Sequence, residues 1–298
     1  MNRNLPLLCI VLLTLWTAAC AGSRQSDICK DDFYSKATLQ GDAAASYAEA
    51  KQSWEERADE AKLRAAIGSW ETAAKIEPWN TDTYVSLSRA YYLLGDGHLR
   101  FDSSKEDEML AMFDKGAYNG ELALGALDPK YRQRVCGGDA VEDAVKTVDK
   151  NAVPAMYWYA TNLGKWALAK GILVVLGRKD EIFSVMTRVL ELDEKFFYGA
   201  PHRYFGAYYT KVPFPDGDPA LSRKHFDKSL EIEPNYLATR VLMADLLATK
   251  TNDRELFATQ LQMVLDAPDD VILELKPEQM IEKRKAKDLM ADIDVYFE

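Results

Sequence analysis

His202-Arg203-Tyr204-Phe205-Gly206-Ala207-Tyr208-Tyr209 is followed, after the turn-rich Val212-Pro213-Phe214-Pro215-Asp216-Gly217-Asp218-Pro219, by Ser222, Phe226, Ser229 and Pro234. Positions 202, 205, 206 and 209 read bulky, bulky, small, aromatic, the spacing of a first helix in a tetratricopeptide repeat. Positions 222, 226, 229 and 234 read as the second helix and its terminator. The reason for the pattern is packing. A small residue such as Gly206 lets two helices approach, aromatics fill the next groove, and the face that one hairpin leaves bare is covered by its neighbour.

Further out, Tyr84, Leu87, Ser88 and Tyr91 repeat the first-helix pattern, and Ala66, Trp70, Ala73 and Pro78 repeat the second. Similar terminators recur at Lys75-Ile76-Glu77-Pro78, Ala126-Leu127-Asp128-Pro129, Glu191-Leu192-Asp193-Glu194 and Glu231-Ile232-Glu233-Pro234. Proline has no N–H to donate and restricts the residue before it, so such a tetrapeptide stops a helix. Strand-like alternation is almost absent, and Ala, Leu, Glu and Lys abound. The expected fold is all-α, an irregular tetratricopeptide-repeat-like stack of helical hairpins. Two insertions break the register. One is a loop from Gly95-Asp96-Gly97 to Asp107. The other holds Gly137-Gly138 and a helix-like stretch over 140–150. Insertions in repeat proteins gather on one face and build the site there. Residues 277–298 read as a final charged helix that caps the stack, with Glu282-Lys283-Arg284-Lys285-Ala286-Lys287 as a basic patch.

The 298 residues carry a formal net charge of −10. That balance argues against nucleic acid as a partner, because a phosphate backbone wants a clustered basic surface. Three His and four Cys are too scattered for a zinc array, so neither metal nor cofactor is expected. There is no G-x-S-x-G, P-loop or H-E-x-x-H, and the protein reads as no enzyme.

The N-terminus carries an address. Arg3 precedes an apolar run over 5–16 and then Thr17-Ala18-Ala19-Cys20, a secretory signal too short to span a bilayer. Small residues before Cys20 make a lipobox, although Thr17 stands where Leu is usual; ordinary cleavage near Ala19 is the plainer alternative. Acylation of Cys20 would hold the protein on a membrane without a spanning helix. Ala21, with no Asp after the cysteine, points to the outer membrane. The expected organisation is a signal peptide over 1–19, a lipidated cysteine and tether over 20–40, and the helical domain over 41–298. Cys29 and Cys136 are then the remaining thiols. An oxidising periplasm would allow them to pair, provided that their Cα atoms come close enough.

Val153-Pro154-Ala155-Met156-Tyr157-Trp158-Tyr159-Ala160-Thr161-Asn162-Leu163-Gly164-Lys165-Trp166 is the most distinctive segment. Trp158, Asn162 and Trp166 recur at i, i+4 and i+8 on one helix face, with Tyr159 flanking. Two indoles around one amide suit an amphipathic pocket wall. The plainer reading of the same residues is a core helix whose aromatics pack between repeats, with Asn162 satisfied locally. A second aromatic cluster contains Phe196-Phe197-Tyr198, Tyr204-Phe205 and Tyr208-Tyr209, more rings than the repeat pattern needs.

Together, the lipobox, the irregular helix pairs, the Pro154–Trp166 motif and the Tyr208-Tyr209…Pro213…Gly217-Asp218 stretch resemble the TatT family, the T components of tripartite ATP-independent periplasmic (TRAP) transporters. The resemblance covers most of the chain between Ala61 and Ala267. It implies a periplasmic lipoprotein with a hydrophobic central cavity that partners a TRAP substrate-binding protein, with a homotrimer as the implied assembly. On this reading Trp158, Tyr159, Asn162, Trp166, Phe205, Tyr208 and Tyr209 are candidate ligand-binding residues for a hydrophobic or amphipathic small molecule. The alternative is a lipoprotein scaffold whose repeat groove holds a peptide or another envelope protein.

Overall fold

The computed structural model describes residues 27–30 and 34–297. The signal segment and Cys20 lie outside the described residues. Among the described residues there are helices and no strand. Helix α1 (Ala43–Glu55) pairs with α2 (Glu60–Ile76), and α3 (Thr81–Leu93) with α4 (Glu106–Leu127). Short α5 (Pro129–Cys136) and α6 (Val141–Ala144) lead to α7 (Val153–Lys170), which packs between α4 and α8 (Ile172–Leu192). Next, α9 (Phe196–Lys211) pairs with α10 (Pro219–Ile232). Then α11 (Leu237–Leu242), a π-helical turn Met243–Ala248 and α12 (Thr249–Thr251) run on as one element against α13 (Arg254–Asp266). The chain ends in α14 (Lys276–Ala291) and α15 (Ile293–Tyr296).

Local chemistry sets these boundaries. The side chains of Asp42, Asp59, Asp128, Asp218 and Asp253 accept first-turn N–H groups of α1, α2, α5, α10 and α13. Proline sits in the first turn of α5, α7, α10 and α14, where the missing N–H has no partner to lose. The small residues of the repeat pattern stand at the crossings. Ser88 donates to the Gly116 carbonyl (2.7 Å), and Ser222 to that of Gly206 (2.7 Å), so close approach also satisfies the hydroxyls. A Cβ on Gly206 would fall 2.7 Å from the Phe226 ring, and one on Gly120 2.7 Å from the backbone of Tyr159.

Two expected insertions take a different form. Gly95-Asp96-Gly97 is not an open loop but part of a buried π-helical turn, Leu94–His98, that continues α3. The two glycines allow it to lie against Phe113 and Ile281. The helix-like stretch over 140–150 shortens to α6 and the 3-10 turn Val145–Thr147, and Asp149 then caps the short turn leading into α7.

The N-terminal segment is tied down. Cys29 and Cys136 are joined in a disulfide with Cα atoms 5.5 Å apart. Ile28 is buried beside Gly125, and Arg132 donates to the carbonyls of Ile28 (2.6 Å) and Lys30 (3.0 Å). The C-terminal helix likewise does more than present a polar cap. Ile281 enters the core formed by Leu63, Leu87, Leu93 and Leu99, far back in the chain. Arg57, 3% exposed, meets Glu278 through two donors (3.0 and 2.8 Å) and also donates to the Glu274 carbonyl (2.6 Å). Helix α14 therefore returns to the first hairpins and closes the stack.

Two glycine substitutions separate tight crossings from free surface. Gly120→Ala should destabilise the protein by about 2 kcal/mol, because its neighbour is backbone and cannot rotate away. Gly68→Ala, in exposed mid-helix with nothing within 4 Å of the new methyl, should stabilise it by about 0.5–1 kcal/mol. Urea denaturation of the two variants beside the wild type measures both.

Candidate functional site

Closure leaves a space that the helices do not fill. A cavity of about 590 Å³ lies among α3, α7, α8, α9, α11 and α14. This is the size of a small-molecule site. Its apolar wall includes Tyr92, Phe113, Tyr157, Trp158, Ile182, Phe197, Tyr204, Tyr208, Tyr236, Val241, Leu246 and Ile281. Burial pushes the phenols of Tyr92, Tyr204 and Tyr236 up from their ordinary range, so these rings stay neutral. The hydroxyl of Thr161, on the same wall, has no hydrogen-bond partner among the described residues.

The polar lining is cationic on balance. Arg89, Arg100, Lys165, Lys179, Arg203, Lys211 and Lys285 face Asp96, Asp245, Glu278 and Glu282, in a chain whose net charge is −10. Most of these charges are paired. Asp96 accepts from Lys165 (2.6 Å) and Lys285 (2.7 Å), and Arg100 stands 3.4 Å away. Burial alone would raise the Asp96 pKa, yet Lys165, Lys285 and Arg100 together hold the carboxyl well below the usual carboxylate range. Lys285 also reaches Glu282 (2.7 Å), and Arg89 reaches Glu278 (2.9 Å).

Arg203 differs. It is 4% exposed, it lines the cavity, and no carboxylate pairs with it among the described residues. It donates to the carbonyls of Tyr198 and, at 2.8 Å, Phe197, and its guanidinium stacks 3.9 Å from the centre of the Tyr236 ring. The two carbonyls belong to an unusual turn that opens α9. Phe197, Tyr198 and Gly199 are all left-handed, with φ of 42°, 60° and 73°. A Cβ makes that region costly for the two aromatic residues. The turn brings the Phe197 ring 5.3 Å from that of Trp158 and 5.7 Å from that of Tyr236, with Arg89 5.0 Å from its centre.

The residues expected from sequence divide. Trp158 and Tyr208 line the cavity. Tyr159 is buried and donates to Glu181 of α8. Asn162 donates to the carbonyls of Ser88 (3.0 Å) and Trp158 (2.9 Å) and lies over Gly116 at the crossing of α3, α4 and α7. Trp166 is buried in the main core. Phe205 packs on Phe183 (5.4 Å between rings), and Tyr209 stacks on His225 (5.7 Å). These five stand outside the cavity wall. No local pattern in the sequence marks Arg203, Asp96, Lys165 or Lys285 as site residues: Asp96 stands in a glycine-flanked segment and Lys285 in a basic run.

At the rim lie exposed apolar residues: Leu168, Ile172 (55% exposed), Leu173 (81%) and Leu176, where α7 turns into α8. Leu168 and Val175 belong both to this strip and to the cavity lining. Phe214, 91% exposed, sits in the loop that Asp216 ties to Lys179 (2.6 Å).

A second polar cluster lies outside the cavity. The Nδ1 atoms of His202 and His225 are 3.0 Å apart, and His202 Nε2 is 3.6 Å from Glu194. One ring must donate and the other accept, so the pair is stable with at least one neutral ring. Among the described residues no group of three His, Cys, Asp or Glu is placed to hold a metal ion. No helix among them is long and apolar enough to cross a membrane.

A family model described as TAtT, TRAP transporter T-component, matches residues 98–297. No curated protein matches the chain.

Two measurements test the electrostatics. Asp96→Asn strands Lys285 with one remaining acid and should lower stability by about 3 kcal/mol in urea titrations at neutral pH. For the histidines, burial lowers both pKa values, His225 to about 4, while an unfolded imidazole titrates near 6.5. The unfolded chain then binds more protons in that window. Their contribution is therefore full above pH 6.5 and falls away as pH drops toward 4. His225→Gln should flatten the slope of melting temperature against pH in this window.

Proposed function

The chain belongs to the TRAP transporter T-component family, and on that premise we propose a specific division of labour for this non-catalytic periplasmic accessory protein. The cavity takes up a hydrophobic or amphipathic small molecule, and the substrate-binding protein of the system docks on the apolar rim at its mouth. The observation that carries this reading is continuity. The aromatic cavity wall runs out through Leu168 and Val175 into the exposed strip of Ile172, Leu173 and Leu176. An isolated exposed leucine is unremarkable, but a contiguous apolar strip on a soluble surface marks a contact site. Burial of a ligand in the cavity would supply about 25 cal/mol per Å² of apolar surface removed from water.

Of the residues expected from the sequence, Trp158 and Tyr208 belong to this ligand wall. Tyr159, Asn162, Trp166, Phe205 and Tyr209 set the positions of the helices that carry it. One chain encloses the cavity, so the reading does not require the homotrimer that the family resemblance implies. Acylation at Cys20 and attachment to the outer membrane remain part of the proposal. The segment from Cys20 to Ile28 would then keep the disulfide end of the molecule within about 30 Å of the lipid, the reach of a fully extended chain of that length.

Co-purification from native membranes at endogenous expression tests the assignment. A TRAP substrate-binding protein should accompany the chain, and Leu173→Glu should weaken the isolated complex at least about tenfold with an unchanged melting temperature, because the side chain is exposed. Recovery of unrelated envelope proteins without a binding protein would favour the scaffold alternative. A Leu173→Glu variant that binds like the wild type would remove the rim from the interface.

A further inference from the structure

Arg203 carries a buried charge for which the described residues provide no anion, and this calls for an explanation. The other buried guanidinium among the described residues has one. Arg57, 3% exposed, has Glu278 at 2.8 Å. A charge removed from water without a counter-ion is costly, and folded proteins pair such groups or leave them for a ligand. Arg203 faces the cavity, and its two carbonyl partners fix its orientation. Those carbonyls are presented by the left-handed turn at residues 197–199, a conformation that two aromatic residues adopt only where the surroundings enforce it. Tyr236 covers one face of the guanidinium at 3.9 Å. The fork of donors has more N–H groups than the two carbonyls use. Strained backbone, a stacked ring and a pre-oriented cation together make a built site and not an incidental surface arginine.

We propose that Arg203 is the seat for the anionic head group of the cavity's ligand. The ligand class is an amphipathic monoanion: a carboxylate or similar oxyanion at the Arg203 end, and an aliphatic or aromatic body against Trp158, Tyr204 and Tyr236. Among the other cations of the lining, Lys165, Lys285 and Arg100 are committed to Asp96, Arg89 to Glu278 and Lys179 to Asp216, and Lys211 is exposed to solvent. They set a positive background, and Arg203 supplies the directed contact. A planar guanidinium matches an oxyanion through parallel N–H donors, which neither a lysine nor a neutral amide reproduces. This inference deepens the proposed function and rests on its reading of the cavity as a ligand site.

The test uses chain-matched probes on the full-length protein by isothermal titration calorimetry: dodecanoate, dodecanol and dodecyltrimethylammonium, each below its critical micelle concentration. Dodecanoate should bind at least about tenfold more tightly than dodecanol, as a charge-assisted hydrogen bond implies, and the cationic probe should bind most weakly. Arg203→Gln should bring dodecanoate down to the dodecanol affinity, and Arg203→Lys should restore only part of the preference. Equal binding of dodecanoate and dodecanol to the wild type would overturn the anion seat while leaving the cavity reading intact. Absence of binding by all three probes would overturn the cavity reading and the seat with it. Retention of the full preference in Arg203→Gln would overturn the assignment to Arg203. The wild-type comparison of probes decides the anion question even if the variants fail to fold.

Discussion

The return of α14 to the first hairpins is the constraint on which the rest of the structure depends. A stack of helical hairpins is open at its ends, and each unit touches only its neighbours. Here Glu278 of the last long helix meets Arg57 and Arg89, Ile281 enters the core of α2 and α3, and Lys285 reaches Asp96. These contacts join residues about two hundred positions apart and turn a row of hairpins into a closed body. Removing them would leave the cavity without one of its walls.

Closure through charge has consequences that an apolar contact would lack. Desolvating two ions often costs as much as their attraction returns, so a buried pair is better evidence of a specified arrangement than of net stability. Asp96 is held by cations from α7, α14 and the 3-10 turn after Leu94–His98, which fixes how these elements sit around the void. The π-helical turn that carries Asp96 is itself a local departure from regular helix, of the kind that often marks functional sites. A second π-helical turn, Met243–Ala248, contributes Asp245 and Leu246 to the lining. The two irregular turns and the left-handed opening of α9 all border the same space. These three departures from regular helix border the space where the proposed ligand would lie, while the hairpin crossings keep tight small-residue packing.

Helix α7 shows how one segment serves two purposes. Its Asn162, Trp166 and Tyr159 side lies against α3, α4 and α8, where the Asn162 NH2 group and the Tyr159 phenol donate internal hydrogen bonds. Its Tyr157, Trp158, Thr161, Gly164, Lys165 and Leu168 side borders the cavity and its mouth. The sequence motif that announces the family therefore spans both faces: the part with the most distinctive spacing builds the scaffold, and Trp158 alone among its marked residues reaches the void. Family membership accounts for the accessory role in TRAP transport, and the second face of the helix is the one that borders the cavity proposed as the ligand site.

The amino-acid sequence by itself determined the helical hairpins, because the small-aromatic spacing, the acidic-proline terminators and the aspartate caps act within a turn or two of where they stand. The positions of Gly206 and Ser88 can be read as crossing points for the same reason. The two cysteines could be seen as candidates to pair, but their 5.5 Å approach depends on how residues 27–30 settle against α4 and α5. The cavity was out of reach of such reading. Asp96, Lys285 and Arg203 come from distant segments, and no spacing rule relates a glycine-flanked aspartate, one lysine in a basic run and an arginine inside an aromatic repeat helix. Only the tertiary structure decided that they border one space, because that depends on the angle at which each hairpin stacks on the last and on the final helix folding back, both set by long-range packing.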